Sequence, residues 1–257
     1  MLAEVALTSV LLVGAALLLR SFVGLQQVDP GIAVDGILTA RVTLPRSRYD
    51  DSARQVAFAD ALLDRARALP GVTAAALGTD APVGDGLSYW GFAITGVEQP
   101  LPEVVQDAAV YRASPEYFHT FGLPLIRGRL FEAGDRADRS PVAIVSQGLA
   151  QRYWPGRDPL GSRITFGDPA NSAAVWMTVV GVVGDVRQSG AVSPAYPQIY
   201  LPFAQLSDRS IVVTWESARL GSTPASACLR GAARASGFRR VRSATTMERS
   251  ESCAKGR

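Results

Sequence analysis

The 257-residue chain is long enough for one or two domains with cores of their own, and its 47 % hydrophobic content is ordinary for a globular protein. Its formal charge of +3 is unevenly spread: residues 1–218 carry 17 basic and 21 acidic side chains (−4), and residues 219–257 carry 9 and 2 (+7). A mildly acidic body argues against nucleic acid as a partner, and two cysteines (Cys228, Cys253) with one histidine (His119) exclude a structural zinc site.

The opening stretch, VALTSVLLVGAALLLRSFVGL, has no charge from Val5 to Leu19 and only Thr8 and Ser9 as polar side chains. A helix there has no face that water tolerates. The uncharged run is shorter than the roughly 20 residues a bilayer core needs. Arg20, whose stem can snorkel to the interface, and Phe22, Val23 and Leu25 lengthen it. A transmembrane helix over 1–28 is therefore expected. A signal peptide is the main rival, but MLAE opens without Lys or Arg, and Gly14-Ala15-Ala16 lies inside the apolar run. A buried helix is the third possibility. Pro30 and Gly31 end the helix in any case.

The body begins with alternating apolar residues in ILTARVTLP (37–45), a strand. Ser52 and Gln55 have capping-box spacing, and Val56, Ala59, Leu62, Leu63, Ala66 and Leu69 recur at helical intervals until Pro70-Gly71. VTAAALG (72–78) is a second strand, which completes a β-α-β unit. The turn-rich TDAPVGDGLSYWGFAITG follows, then a strand at 107–113. SPEYFHTFG reads as a short helix with Ser114 as N-cap, Pro115 at the first position and Gly122 at the stop. PVAIVSQGLAQRYWPG is a strand feeding a short helix, and SRITF, VWMTVVGVVGDV, PQIYLPF and SIVVTWES are further strands. Residues 86–206 thus form a strand-rich insertion within an α/β unit. After Glu216 the composition turns small and basic; a helix over 224–235 is conceivable, and 237–257 reads as a disordered tail.

No catalytic constellation is visible. His119, beside Phe118 and Phe121, reads as a packed or surface residue rather than a base, and no GxSxG elbow accompanies it. GDGLSYWG lacks the GK[ST] ending of a phosphate loop, and VVGVVGDVR lacks GxGxxG, so it reads as a strand ending in a turn. Asp50-Asp51 and Asp135/Asp138 read as solvated loop acids. Tyr89, Trp90, Phe92, Tyr153 and Trp154 read as core or interface. No catalytic, cofactor-binding or metal-binding residue is assigned, and no cofactor is expected. Domains of this kind bind, transmit or scaffold.

Several spaced stretches, in order, resemble the MacB-like periplasmic core domain of FtsX/MacB-type ABC transporter permeases, the large duplicated permeases of acidobacteria above all. They are VALTSVLLVGAALLLRSFVGLQQVDPGI, GILTARVTLPRSRY, EYFHTFGLPLIRGRLFEAGD, PVAIVSQGLAQRYWPGRDPLGSRI, VVGVVGDVR and PQIYLPFAQ, spanning about Val5 to Glu216. The resemblance implies an α+β protein with a transmembrane helix (1–28), N-terminus inside, and a periplasmic core (29–217). Within that core a porter-like β-α-β subdomain (36–80 plus about 208–236) carries an inserted strand-rich, sabre-like subdomain (about 86–206). It also implies a single span in the bacterial inner membrane, and as partners membrane lipid, an ABC ATPase subunit and a permease dimer mate. ATP-driven conformational change would be transmitted across the membrane, in an efflux or lipoprotein-handling permease. No FtsX-like helices follow Glu216, and ATTMERSE stands where the family carries an acidic TMEE-like stretch, so an incomplete copy is expected. The alternatives are a stand-alone membrane-anchored periplasmic binding or adaptor protein and, more remotely, a secreted enzyme.

Overall fold

A computed structural model describes residues 2–26, 31–32, 36–80, 88–96, 106–186, 196–205 and 210–217. In chain order the elements are α1 (Leu2–Gln26), β1 (Ile37–Thr43), α2 (Ser52–Arg67), β2 (Val72–Gly78), β3 (Tyr89–Gly91), β4 (Ala93–Ile94), β5 (Asp107–Ala113), α3 (Tyr117–Thr120), β6 (Leu125–Gly128), β7 (Val142–Ser146), α4 (Gln147–Tyr153), β8 (Arg163–Thr165), β9 (Met177–Val183), β10 (Gln198–Pro202) and β11 (Ser210–Ser217). The helix imagined over 224–235 and the tail at 237–257 lie outside the described residues.

The opening stretch is one helix, α1, and apart from Gly14 every one of its described side chains is exposed. A span is nonetheless not established: among the described residues, no helix is long and apolar enough to cross a membrane. The side chains of α1 described without a break run from Leu7 to Val23, about 26 Å of helix at 1.5 Å per residue.

The β-α-β unit forms with two differences from the expectation. Asp51, not Ser52, caps α2: its carboxylate accepts the Ala53 N–H at 2.7 Å. Gln55 is buried and donates to the Tyr49 carbonyl at 3.0 Å. The second difference is topological. β1 and β2 each pair antiparallel with β11, so they run in the same sense but the last strand lies between them. Strand β11, some 130 residues away in sequence, completes the unit by supplying the ladder bonds that β1 and β2 would otherwise lack.

One sheet runs β1-β11-β2-β5-β10-β7-β9-β8-β4, with β3 beside β5 and β6 beside β9. Pairings β5–β10 and β7–β9 are parallel. The sheet crosses from β2 to β5 through a single register pair, Gly78 with Ala113, flanked by Thr79 N–H to Arg112 O and Ser114 N–H to Leu77 O.

Three apolar clusters follow from the period of two along the strands. The α2 face (Ala59, Leu62, Leu63, Ala66) packs on β1, β2 and β11 around Trp215. Beyond β5 both sheet faces are covered. Ala108, Val110, Ile199 and Leu201 point to α4; Ala109, Tyr111, Ala113 and Tyr200 point to α3. Strands covered on both sides read as unbroken apolar runs, which is why AIVS and QIYLP show no alternation. Ser146 caps α4 at the Leu149 N–H, and Gly122, at φ +65, ends α3. Ser114 does not cap α3. Its hydroxyl accepts the Leu77 N–H of β2 instead, at 3.1 Å.

Candidate functional site: the α2 cleft and the clasp at the α1 exit

A cleft lies between α2 and the stretch from Ala113 to Arg136, beside the β2–β5 crossing. Its volume is about 340 Å³. Its floor is apolar, from Val56, Leu63, Phe131 and Phe203, and its rims are charged. Two ion pairs cross it with opposite polarity. Arg67 of α2 reaches Glu116, in the turn before α3, at 2.6 Å, and Asp60 of α2 meets Arg136 of the following loop at 3.4 Å. All four side chains are roughly half exposed, so each pair contributes on the order of 0.2–1 kcal/mol.

A third pair holds the far rim rigid. Asp135 accepts two hydrogen bonds from Arg129, at 2.8 and 3.0 Å, and the Glu132 N–H at 2.9 Å. Burial works to raise the Asp135 carboxyl, but the Arg129 hydrogen bonds, the Glu132 N–H and the Arg129 charge outweigh it and hold it below the usual carboxylate range. The same contact, against the cost of burial, raises Arg129. Asp135 is therefore a buried structural anion and not the solvated acid its turn-rich surroundings suggested; Asp138 is exposed as expected.

The second feature is where the chain leaving α1 meets the body. Gly31, at φ +77, sits so close to Asp185 that a Cβ would lie 2.5 Å from the Asp185 carbonyl oxygen. Only glycine meets both demands. Ile32, next in the chain, packs into the cluster that contains Val186. Asp185 is held from its other end by the Gly148 N–H, which donates to Oδ1 at 2.8 Å, and the Val186 carbonyl accepts from Gln198 Nε2 at 2.8 Å. The VVGVVGD run is thus a strand with a turn, as its sequence indicated. The turn's role, a seat for the chain that follows α1, lay outside any motif.

The other singled-out residues fall away from both features. His119 is exposed on α3. Phe92 and Trp154 are buried in the core facing α4, and Tyr153 packs against it. Tyr89 and Trp90, on β3, are exposed and lie edge-on to Tyr196 and Phe166. Tyr196 donates to Asp107 in a short hydrogen bond; burial first, then that bond and the Asp107 charge, push its phenol up to about 12. Among the described residues no group of His, Cys, Asp and Glu could hold a metal ion.

A continuous mixed sheet carries the α2-lined cleft and seats Gly31 on Asp185, and the chain belongs to the family of the MacB-like periplasmic core domain, whose pattern matches residues 6–227. Among related sequences, the macrolide export ATP-binding/permease proteins MacB of Neisseria gonorrhoeae and of Neisseria meningitidis serogroup B are each 32 % identical over 76 residues, 30 % of this chain. The match spans 11 % of those relatives' length. Similar solved structures include the periplasmic region of MacB from Actinobacillus actinomycetemcomitans (17 % identity, TM-score 0.49, 82 % of this chain and 86 % of that one). A domain of a permease protein from Porphyromonas gingivalis (17 %, 0.47, 78 % and 84 %) is another. A third is the extracellular domain of the noncanonic ABC-type transporter YknZ from Gram-positive bacteria (15 %, 0.48, 77 % and 91 %).

Proposed function

We propose that this chain is the extracytoplasmic domain of an ABC-type permease, anchored by α1 in the inner membrane. It passes movement driven by ATP in a partner subunit from that helix to the sheet. It acts by transmission and carries no catalysis of its own. The observation that carries the reading is the seat of Gly31 on Asp185. A helix that tilts or shifts in the bilayer moves residues 31–32, and through Asp185 and Val186 it moves the end of β9 and the start of α4. Population shift between two arrangements of the α2 cleft is the form such transmission takes. The apolar character of α1 on every side supports lipid as its surroundings, because eleven large apolar side chains there are 44–74 % exposed.

The test uses membranes from cells that express the full chain with its ATPase. Alkaline carbonate washing should leave the chain in the membrane. Hydrogen exchange at Gly31–Ile32 and at Val183–Val186 should change together on addition of ATP. Release of the chain by carbonate, or exchange indifferent to nucleotide, would end the proposal. The second reading, a stand-alone anchored binding or adaptor protein, is favoured by the cleft itself; ligand-dependent protection of Val56 and Phe131 with no response to ATP would select it.

A further inference from the structure

Outside α1, the exposed large apolar side chains among the described residues are few: Tyr89, Trp90, Leu125, Ile126 and Val175. Two of them, Leu125 and Ile126, are consecutive and are 42 % and 44 % exposed. In a regular strand consecutive side chains point to opposite faces, so one of the two would be covered. Here the β6–β9 register shifts between Leu125 and Arg127, a bulge at Ile126, and all four residues of β6 are exposed.

The position of this pair gives it meaning. β6 runs antiparallel to β9, with Leu125 opposite Val183 and the Pro124 carbonyl accepting the Gly184 N–H at 3.0 Å. The next residue along, Asp185, is the seat of Gly31. Leu125 therefore begins β6 at the end of the sheet where the chain from α1 arrives. The five Cα steps from Gln26, the end of α1, to Gly31 can span at most about 18 Å. Whatever surrounds the last turn of α1 lies close to the Leu125–Ile126 bulge.

We propose that Leu125 and Ile126 form a second membrane contact: the bulge rests in the headgroup region of the bilayer that holds α1, with Arg127 at lipid phosphate depth. This rests on the reading of α1 as a membrane anchor. An interfacial seat suits the chemistry. Headgroup water and phosphate satisfy the edge of β6 that has no partner strand among the described residues, which the hydrocarbon core would not, while two apolar side chains and a flanking arginine match the composition of interfacial contacts. Arg127 is available for this role, since it is 57 % exposed and its partner Asp158 is 3.4 Å away. The contact would fix the tilt of the sheet relative to the membrane, which a single covalent connection to α1 does not do.

The test places an environment-sensitive fluorophore at one cysteine of the full chain in which Cys228 and Cys253 are replaced by serine. Three sites are compared in vesicles of phosphatidylcholine and phosphatidylglycerol: Ile126→Cys, Leu12→Cys in α1, and Val175→Cys, an exposed apolar site beyond the end of β9 opposite Asp185. The expected result is quenching of the Ile126 label by lipids carrying nitroxide near the headgroup, quenching of the Leu12 label by nitroxide deep in the chains, and no quenching at Val175. A quenched Leu12 label with an Ile126 label no different from that at Val175 overturns the second contact and leaves the anchor standing. An unquenched Leu12 label overturns the anchor and the inference together. An Ile126 label shielded from iodide in water yet untouched by lipid nitroxide assigns the bulge to a protein partner and overturns the lipid contact.

Discussion

Arg67, near the end of α2, reaches across the cleft to Glu116 at 2.6 Å while also lying 3.4 Å from Asp64 on its own helix. The inter-element contact is the shorter of the two, and it joins the β-α-β unit to the turn that starts α3. Glu116 Oε2 is buried without a hydrogen-bond partner, so the carboxylate relies on Arg67 for its compensation. Removing the arginine leaves that charge uncompensated, whereas removing both leaves little to compensate. Arg67→Ala should therefore cost more than Arg67→Ala combined with Glu116→Ala, relative to Glu116→Ala alone. The coupling energy from the double-mutant cycle should be about 0.2–1 kcal/mol, falling as salt is raised. Additive losses in thermal unfolding, independent of salt, would mean that the pair holds nothing.

Asp135 supplies a pH dependence with a defined sign. Its folded pKa lies below that of an exposed carboxylate, about 3.9. The stability it contributes is therefore fully present above the unfolded value and lost as pH falls through the folded one. Asp135→Asn keeps the shape but forgoes the Arg129 ion pair. The variant should be less stable than the parent at neutral pH by an amount that shrinks below about pH 4. Urea midpoints measured from neutral to acid pH give the two curves. A constant gap between them would place the acid transition on other carboxylates.

Much of this molecule was legible in its sequence because its signals are local. The strand at 107–113 and the stops at Pro70-Gly71 and Gly122 follow from alternation and from positive φ at glycine. What was missed has non-local causes. Strand β6, LIRG, is four exposed residues with no alternation to read, and it exists because β9 offers an edge. The interposition of β11 between β1 and β2 depends on a strand far along the chain. Asp51 displaced Ser52 as cap because the helix starts one residue earlier than the box requires. For the candidate site, no pattern in the sequence joins Arg67 with Glu116 or Gly31 with Asp185. Residues 49 and 154 positions apart meet only after the sheet is assembled. The pairing of Asp135 with Arg129, six residues away, was within reach of the sequence, where LIRGRLFEAGD places both in one turn.

Tyr196 provides a test at alkaline pH. Burial, the hydrogen bond to Asp107 and the Asp107 charge all favour the neutral phenol, which titrates at about 12 rather than the ordinary value of about 10. A raised folded pKa gives stability that is complete below the unfolded value and disappears as pH rises from about 10 to about 12. Near-ultraviolet absorbance titration should show Asp107→Asn shifting one tyrosine toward lower pH, and Tyr196→Phe removing that same step. If both variants titrate like the parent, the Tyr196–Asp107 bond does not persist in solution. Tyr117 and Tyr200, fully buried in the α3 cluster, are held well above the ordinary tyrosine value, first by burial.

Gly31 carries the clearest single-residue prediction, with Gly14 as its control. A Cβ at Gly31 meets the Asp185 carbonyl oxygen at 2.5 Å in a backbone conformation, φ +77, that L-residues rarely adopt. A Cβ at Gly14, in the middle of α1, meets nothing within 4 Å. Gly14→Ala should therefore be neutral or slightly favourable to the helix, by up to about 1 kcal/mol. Gly31→Ala must either pay the strain, of order 1–3 kcal/mol, or lift the chain off its seat. The two outcomes are separable. Strain retained lowers the unfolding temperature with the exchange at Asp185 and Val186 unchanged. Lifting the chain leaves global unfolding nearly unaltered, because the three clusters stay packed, but exposes the Val186 side of the α3 cluster and speeds exchange there. Transmission through the seat predicts that the lifted variant also loses the linked response of Val183–Val186 to ATP. If Gly31→Ala matches Gly14→Ala in stability, local exchange and nucleotide response, the seat has no mechanical part to play.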